Sequence, residues 1–432
     1  VDPSVVAVLG FVALFALMVL RMPIGLSMGA VGIGGFAYLN GWDPALRLLA
    51  QSPIRTATDA GFAVIPLFLL MGTIASASGM SGELFQTANS FLGHRKGGLG
   101  MATIAACAGF AAISGSSVAT AATFSAVAYP EMRRFDYPQS FATGVIAAGG
   151  TLGAILPPSL VLAVYSLITQ QDVGRLYIAG IVPGLLAVVM YIATITVIGR
   201  VRPDFLPRGP RIGWAGRLRA VRGVWAITLL FLFVIGGMYG GAFTPTEAAA
   251  MGAGGAFLIA AVRGRLPAAV FMDCLLRALR TSAAIFTILI GALLFGYFLT
   301  ITQTPQHVTE FLTGLGLARY EVLLLIMLMY LVLGCVMDAM AMVILTIPII
   351  FPVITALGFD PIWFGVIIVM TVELGLIHPP VGMNVFVIKS VVKDVRIGTI
   401  FLGVIPFVVT DIVRLGILIA FPDLSTWLPN HM

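Results

Sequence analysis

Gly149-Gly150-Thr151-Leu152-Gly153-Ala154-Ile155-Leu156-Pro157-Pro158-Ser159 is an apolar run broken by a proline pair, with three glycines ahead of the break. A second run, Val372-Glu373-Leu374-Gly375-Leu376-Ile377-His378-Pro379-Pro380-Val381-Gly382, repeats the pattern. Proline inside a helix removes a backbone donor and clashes with the preceding turn, at ~3 kcal/mol or more. In hydrocarbon, the carbonyls left over must find partners within the protein, because lipid offers no donor. Such a break at two matching places needs a reason.

Composition identifies the solvent. Of 432 residues, 59% are hydrophobic and 10% charged, whereas a soluble domain carries about a quarter charged residues. Many apolar stretches reach the ~20 helical residues that cross ~30 Å of hydrocarbon. The chain therefore reads as an all-α polytopic membrane protein. Cys107, Cys274 and Cys335 lack close spacing, as do the four histidines, which argues against a disulfide framework or a metal site. The net charge of +6 is no nucleic-acid signature, since Arg200, Arg202, Arg208, Arg211, Arg217, Arg219 and Arg222 crowd one segment with Asp204 as its only acid. The positive-inside rule makes that loop cytoplasmic. Contact with anionic membrane lipid is a compatible second role. The run from Val5 to Leu20 has no basic region ahead of it and no convincing cleavage site, so it reads as a span rather than a signal peptide.

In order, spans are expected at 5–20 and 23–39, an interfacial segment at 41–60, and a span at 62–77 followed by an amphipathic stretch to Phe91. Two apolar arms of about 12–15 residues then flank Ser114-Gly115-Ser116-Ser117. Arms that short suit a hairpin, 99–129, which enters and leaves on one side. A single long helix with small residues at a packing face is the alternative. The polar exit Glu131-Met132-Arg133-Arg134 favours the hairpin. A broken helix at 139–168 and a span at 176–199 follow. Beyond the basic loop come spans at 223–240, 245–262 and 272–300, then a polar stretch like that at 78–93. A second hairpin at 320–352 turns at Gly334-Cys335-Val336-Met337-Asp338, ahead of a broken helix at 361–392 and a last span at 398–421. The domains expected are 1–61 (N-terminal scaffold), 62–199 (first repeat), 200–222 (basic loop) and 223–432 (scaffold span and second repeat).

The halves superpose at a constant shift. Ser116 and Asp338, Pro130 and Pro352, Gly153 and Gly375, Pro157 and Pro379, Pro158 and Pro380, and Asp172 and Asp394 are all 222 residues apart. Pro183 and Pro406 are separated by 223. An odd number of crossings in the first repeat inverts the second. Paired interrupted segments at corresponding places are the sequence pointer to a secondary-transporter site. A tip facing a break brings half-helix ends together: carbonyl ends suit a sodium ion, and N–H ends suit a carboxylate.

Ala112-Ile113-Ser114-Gly115-Ser116-Ser117, Gly153 to Ser159, and Leu374-Gly375-Leu376-Ile377-His378-Pro379-Pro380-Val381-Gly382-Met383-Asn384 resemble the large membrane subunit (DctM-like) of tripartite ATP-independent periplasmic (TRAP) transporters. The likeness covers essentially the whole chain. It implies a sodium-driven importer of organic acids, with an elevator-type architecture, in a bacterial or archaeal cytoplasmic membrane. It also implies a small DctQ-like membrane subunit and a periplasmic DctP-like substrate-binding protein as partners. Carried onto this chain, a first sodium site uses Ala111, Ser114, Gly153, Leu156 and Pro157. The second uses Gly334, Asp338, Gly375, His378 and Pro379. Substrate lies near Ser116, Ser117, Pro158, Ser159, Met340, Pro380 and Asn384. Sodium is the coupling ion and no cofactor is implied.

Asp338 is either an ion ligand or the cap of the second arm, and the two roles are compatible. Glu373 either supports a cation site or pairs with a basic residue elsewhere in the bundle. His378 is expected to contribute its carbonyl rather than its ring. With no basic residue at either tip, a bound carboxylate is expected to rely on N–H groups, hydroxyls and the sodium ion. A stand-alone carboxylate transporter is the alternative function. A hydrolase needs a nucleophile-base, paired-Asp or metal constellation that the broken segments lack, so no enzyme activity is expected. A channel needs an open polar path or charged rings.

Overall fold

The computed structural model describes residues 2–314, 316–334 and 337–431, so Cys335 and Val336 of the second tip lie outside it. All regular structure among the described residues is helical. The first half comprises α1 (Pro3–Val19), α2 (Ile24–Asn40), α3 (Trp42–Thr58), a 3-10 turn (Ala60–Ala63), α4 (Val64–Ala77) and α5 (Met80–Leu92). It continues through α6 (Gly98–Ser114), α7 (Ser117–Arg134), α8 (Gln139–Ile155), α9 (Leu160–Thr169) and α10 (Val173–Val201). The basic segment carries a helix that sequence did not foresee, α11 (Trp214–Gly223). Then come α12 (Trp225–Tyr239), α13 (Pro245–Val262), α14 (Ala268–Ile301), α15 (Thr304–Gly314) and α16 (Arg319–Gly334). The chain closes with α17 (Ala339–Ala356), α18 (Pro361–Ile377), α19 (Met383–Val391), α20 (Ile397–Ala420) and α21 (Asp423–Asn430).

Local chemistry fixes many of these boundaries. Thr244 and Glu247 cap α13 reciprocally, with Pro245 at its first position. Asp360 caps α18 ahead of Pro361. The two acids that end the broken helices behave differently: Asp172 caps α10, whereas Asp394 accepts from Tyr129 Oη at 2.9 Å.

The repeat runs further than the motifs predict. At a shift of 222, α1 matches α12, α2 matches α13, and α5 to α10 match α15 to α20, with first residues agreeing to within two. Helices α3 and α4 together correspond to the single α14 of 34 residues. The duplication therefore reaches α1 rather than starting near residue 62. The first three helices carry no proline pair, so sequence offered no landmark for aligning them.

The second copy is inverted. Both ends of the α6–α7 hairpin lie on one face, where the basic segment docks: Gly97 N–H donates to the Pro207 carbonyl at 3.3 Å, and Tyr137 Oη to the same oxygen at 3.0 Å. Lys96 and Arg208 pair there, and Arg263 and Arg265 hold Glu83 at 2.8 and 2.6 Å. The α18–α19 helix ends at this face, through Asp394 and Tyr129, and begins at the other, where Tyr165 Oη reaches the Pro361 carbonyl at 2.6 Å.

Seven segments among the described residues are long and apolar enough to cross a membrane, and 139–169 is the most enclosed of them. Val12, Leu229, Leu232, Leu328 and Leu402 point outwards, as lipid-facing side chains do. Inside, backbones touch: a Cβ on Gly291 of α14 would fall 2.0 Å from the Gly25 carbonyl oxygen of α2. Close approach of this kind is how membrane helices gain packing energy without a hydrophobic drive between them.

Candidate functional site

Tip and break meet directly in the first repeat. Gly115, with φ +59°, turns the chain between α6 and α7, and a Cβ there would lie 2.4 Å from the Pro158 carbonyl oxygen. The Leu160 N–H donates back to the Gly115 carbonyl at 3.2 Å. From the other side, a Cβ on Gly153 would lie 2.5 Å from the Ser116 carbonyl oxygen. Both positions therefore require glycine.

The proline pair decides which carbonyls remain. Pro157 and Pro158 deprive Gly153 and Ala154 of their helical donors. The Ser159 hydroxyl donates to Ala154 and accepts from Leu162 N–H at 3.2 Å, so it is engaged in capping α9 rather than free for substrate. For the Gly153 carbonyl no side-chain hydroxyl takes this part among the described residues. Against the Cα of Gly153 lie the Ser116 carbonyl and Thr120 Oγ1; Thr120 donates to that carbonyl at 2.8 Å and lies 3.0 Å from the Ser114 hydroxyl. Thr120 was not among the residues picked from sequence, although its place one turn beyond the tip was a usable signal. Ala111 accepts the Gly115 N–H at 3.1 Å, and Leu156 and Pro157 are buried beside the same turn.

The second repeat brings break and tip together through its first arm, with different chemistry. Gly334 of α16 abuts Gly375 of α18, backbone against backbone. Asp338 is the cap of α17, accepting from Met340 and Ala341 N–H at 3.0 and 3.2 Å. It stands where Ser116 caps α7. Val381 occupies the place of Ser159, so no hydroxyl covers Leu376, and Met342 occupies the place of Thr120. Both proline pairs are joined by cis bonds. His378 terminates α18 with Nδ1 against the Pro379 carbonyl, and Pro379 and Pro380 are exposed whereas Pro157 and Pro158 are buried.

Of the expected substrate residues, Ser116 and Met340 are half-buried at their tips and Ser117 is buried. Asn384 is fully buried, and its amide has no hydrogen-bond partner among the described residues. Glu373, 2% exposed, likewise has both carboxylate oxygens unpartnered. Ser117 is near enough to act on it as a donor, and Asp411 and Arg414 act on it through their charges.

This cluster was largely missed from sequence. Arg414 Nη2 pairs with Asp411 Oδ1 at 2.9 Å inside α20, both nearly inaccessible. Tyr191 Oη donates to the same carboxylate at 2.7 Å and lies 3.1 Å from Thr151 Oγ1. Thr151 occupies in the first repeat the place of Glu373 in the second. The signal was available, since charges three residues apart inside an apolar span are functional candidates by default.

Beside the first tip opens a cavity of about 560 Å³, walled by α4, the tip and the first half of α14. It contains Ser114 and Ser116 from the tip, Ser76 and Thr123, and Arg277 and Arg280 from α14. Neither tip carries a basic residue, as expected, but Arg277 and Arg280 of α14 line the same cavity as Ser114 and Ser116. Distance in sequence, not in space, separated these arginines from Ser116.

Paired hairpins that meet paired helix breaks inside an all-helical bundle define a class of polytopic membrane transporter. Residues 11–424 match the family model described as "Tripartite ATP-independent periplasmic transporter, DctM component". The chain belongs to this family. The C4-dicarboxylate TRAP transporter large permease protein DctM of Pseudomonas aeruginosa is 37% identical over 406 residues, covering 93% of this chain and 94% of the relative. The sialic acid TRAP transporter large permease protein SiaM of Vibrio cholerae is 30% identical over 411 residues, covering 95% of each. Among solved structures, the Alcanivorax borkumensis YdaH transporter shares the fold at a TM-score of 0.61 and 15% identity, covering 88% of this chain and 90% of that one.

Proposed function

We propose that this chain is the transport subunit of a sodium-driven importer of organic acids, working by elevator-type alternating access in a cytoplasmic (inner) membrane. Its partners are a small DctQ-like membrane subunit and a periplasmic DctP-like binding protein that delivers the substrate. The basic face, with its docked arginine-rich segment, is turned to the cytoplasm.

The observation that carries this reading is the meeting of the first break with its tip: Gly153, whose carbonyl loses its helical donor to Pro157, packs its Cα directly against the Ser116 carbonyl and the Thr120 hydroxyl. Oxygens of this kind suit sodium, a hard cation bound here as cargo. In the second repeat Gly375 packs against Gly334 of the first arm, and Asp338 supplies a carboxylate at the start of the second arm. The cavity beside the first tip gives an organic acid a path to the basic face. The relatives' printed substrates, C4-dicarboxylates and sialic acid, are both carboxylates.

The test is uptake of a panel of labelled organic acids into proteoliposomes. Accumulation is expected only with an inward sodium gradient, the small subunit and the binding protein together. Uptake by this chain alone establishes the stand-alone reading instead, and gradient-independent uptake removes sodium coupling.

A further inference from the structure

The cavity beside the first tip has walls of unlike character. One wall is the hairpin, with Ser114, Ser116 and Thr123; the other is α14, with Asp273, Arg277 and Arg280. Arg277 Nε pairs with Asp273 Oδ2 at 2.8 Å, so these two largely offset one another. Arg280 is exposed and has no hydrogen-bond or ion-pair partner among the described residues. Asp273 is the only acid that lines the cavity among the described residues, which leaves one positive charge in excess there. Ser76 Oγ of α4 and Thr123 Oγ1 of the hairpin lie 3.3 Å apart and close the cavity on its third side.

We infer that Arg280, seconded by Arg277, makes this cavity an anion-selecting vestibule that draws carboxylate or sulfonate groups to the first tip. The inference rests on reading the cavity as the substrate's path. A cleft walled by low-dielectric protein focuses the field of its charges and raises the local concentration of counter-ions. The guanidinium also offers a planar set of donors matched to two oxygens of such a group. Because both arginines stand on α14 rather than on the hairpin, the anion gains their field only while the tip faces this wall. A tip that moves away leaves the field behind, so the arginines assist exchange with the basic face without holding the anion through the rest of the cycle. Neutral and cationic solutes gain nothing from the wall.

The test measures the field directly and requires neither the natural substrate nor sodium. Thr123→Cys is introduced into the full chain with Cys107, Cys274 and Cys335 changed to Ala, and is reconstituted in nanodiscs. Its reaction rates with an anionic (sulfonatoethyl) and a cationic (trimethylammonioethyl) methanethiosulfonate are compared, each normalised to a free thiol. The normalised ratio is expected to favour the anionic reagent about tenfold. It should fall several-fold in Arg280→Gln, stay near the parent value in Arg280→Lys, and rise in Asp273→Asn. A ratio near one in the parent, or one that Arg280→Gln leaves unchanged, overturns the inference. A failed uptake assay would strike the transport reading while leaving this ratio intact, so the two failures are distinguishable.

Discussion

Gly334 of α16 and Gly375 of α18 pack with no room for a side chain between them: a Cβ on Gly334 would fall 2.8 Å from the Gly375 Cα. Because the contact is backbone on backbone, no rotamer can relieve it. Gly375→Ala should cost ~1–3 kcal/mol by overpacking, lowering the melting temperature of the detergent-solubilised protein by several degrees. It should also raise the sodium concentration needed for half-maximal uptake. An unchanged melting temperature would show that the two helices separate easily.

Asp338 caps α17, which leaves its ionic role to be separated from its structural one. Asparagine caps as well as aspartate, whereas alanine costs ~0.5–2 kcal/mol at such a position. Asp338→Asn should therefore keep the melting temperature while weakening sodium activation, and Asp338→Ala should lose both. Equal sodium activation curves for the parent and Asp338→Asn would leave only the cap.

The Tyr191–Asp411–Arg414 cluster predicts non-additive losses. Arg414→Leu leaves the Asp411 carboxylate buried without its cation and should destabilise by ~3–5 kcal/mol. Changing both residues to leucine should cost less than the single change, since no charge is then stranded. Tyr191→Phe removes one charge-assisted hydrogen bond, at ~1.5–3 kcal/mol. Thermal unfolding of the parent, Arg414→Leu, Asp411→Leu and the double change in one detergent measures the cycle, and strict additivity would mean that the two groups do not interact.

How much of this was legible in sequence follows from what breaks a helix. Pro157, Pro158, Pro379 and Pro380 stand out because a proline in an apolar span needs compensation, so both breaks and both tips could be located in advance. Their shared spacing gave the repeat, which the helix boundaries extend to α1. Asn384 was among the residues expected at the substrate, whereas Thr120, one turn beyond the tip, was passed over although it hydrogen-bonds to Ser116. Arg280 lies 164 positions from Ser116, and only the fold brings α14 against the tip. Ser159 looked like a free hydroxyl, yet the orphaned Ala154 carbonyl claims it.

Alternating access through the first tip is the central claim, and Ser116 reports on it most directly, being half-buried at the cavity wall. Ser116→Cys in the cysteine-free chain, assembled with the small subunit in proteoliposomes of known orientation, should react with an impermeant thiol reagent from the basic face at rest. Sodium and substrate-loaded binding protein, added on the opposite side, should transfer part of that reactivity to the opposite face. Labelling from the basic face alone under every condition would contradict the account.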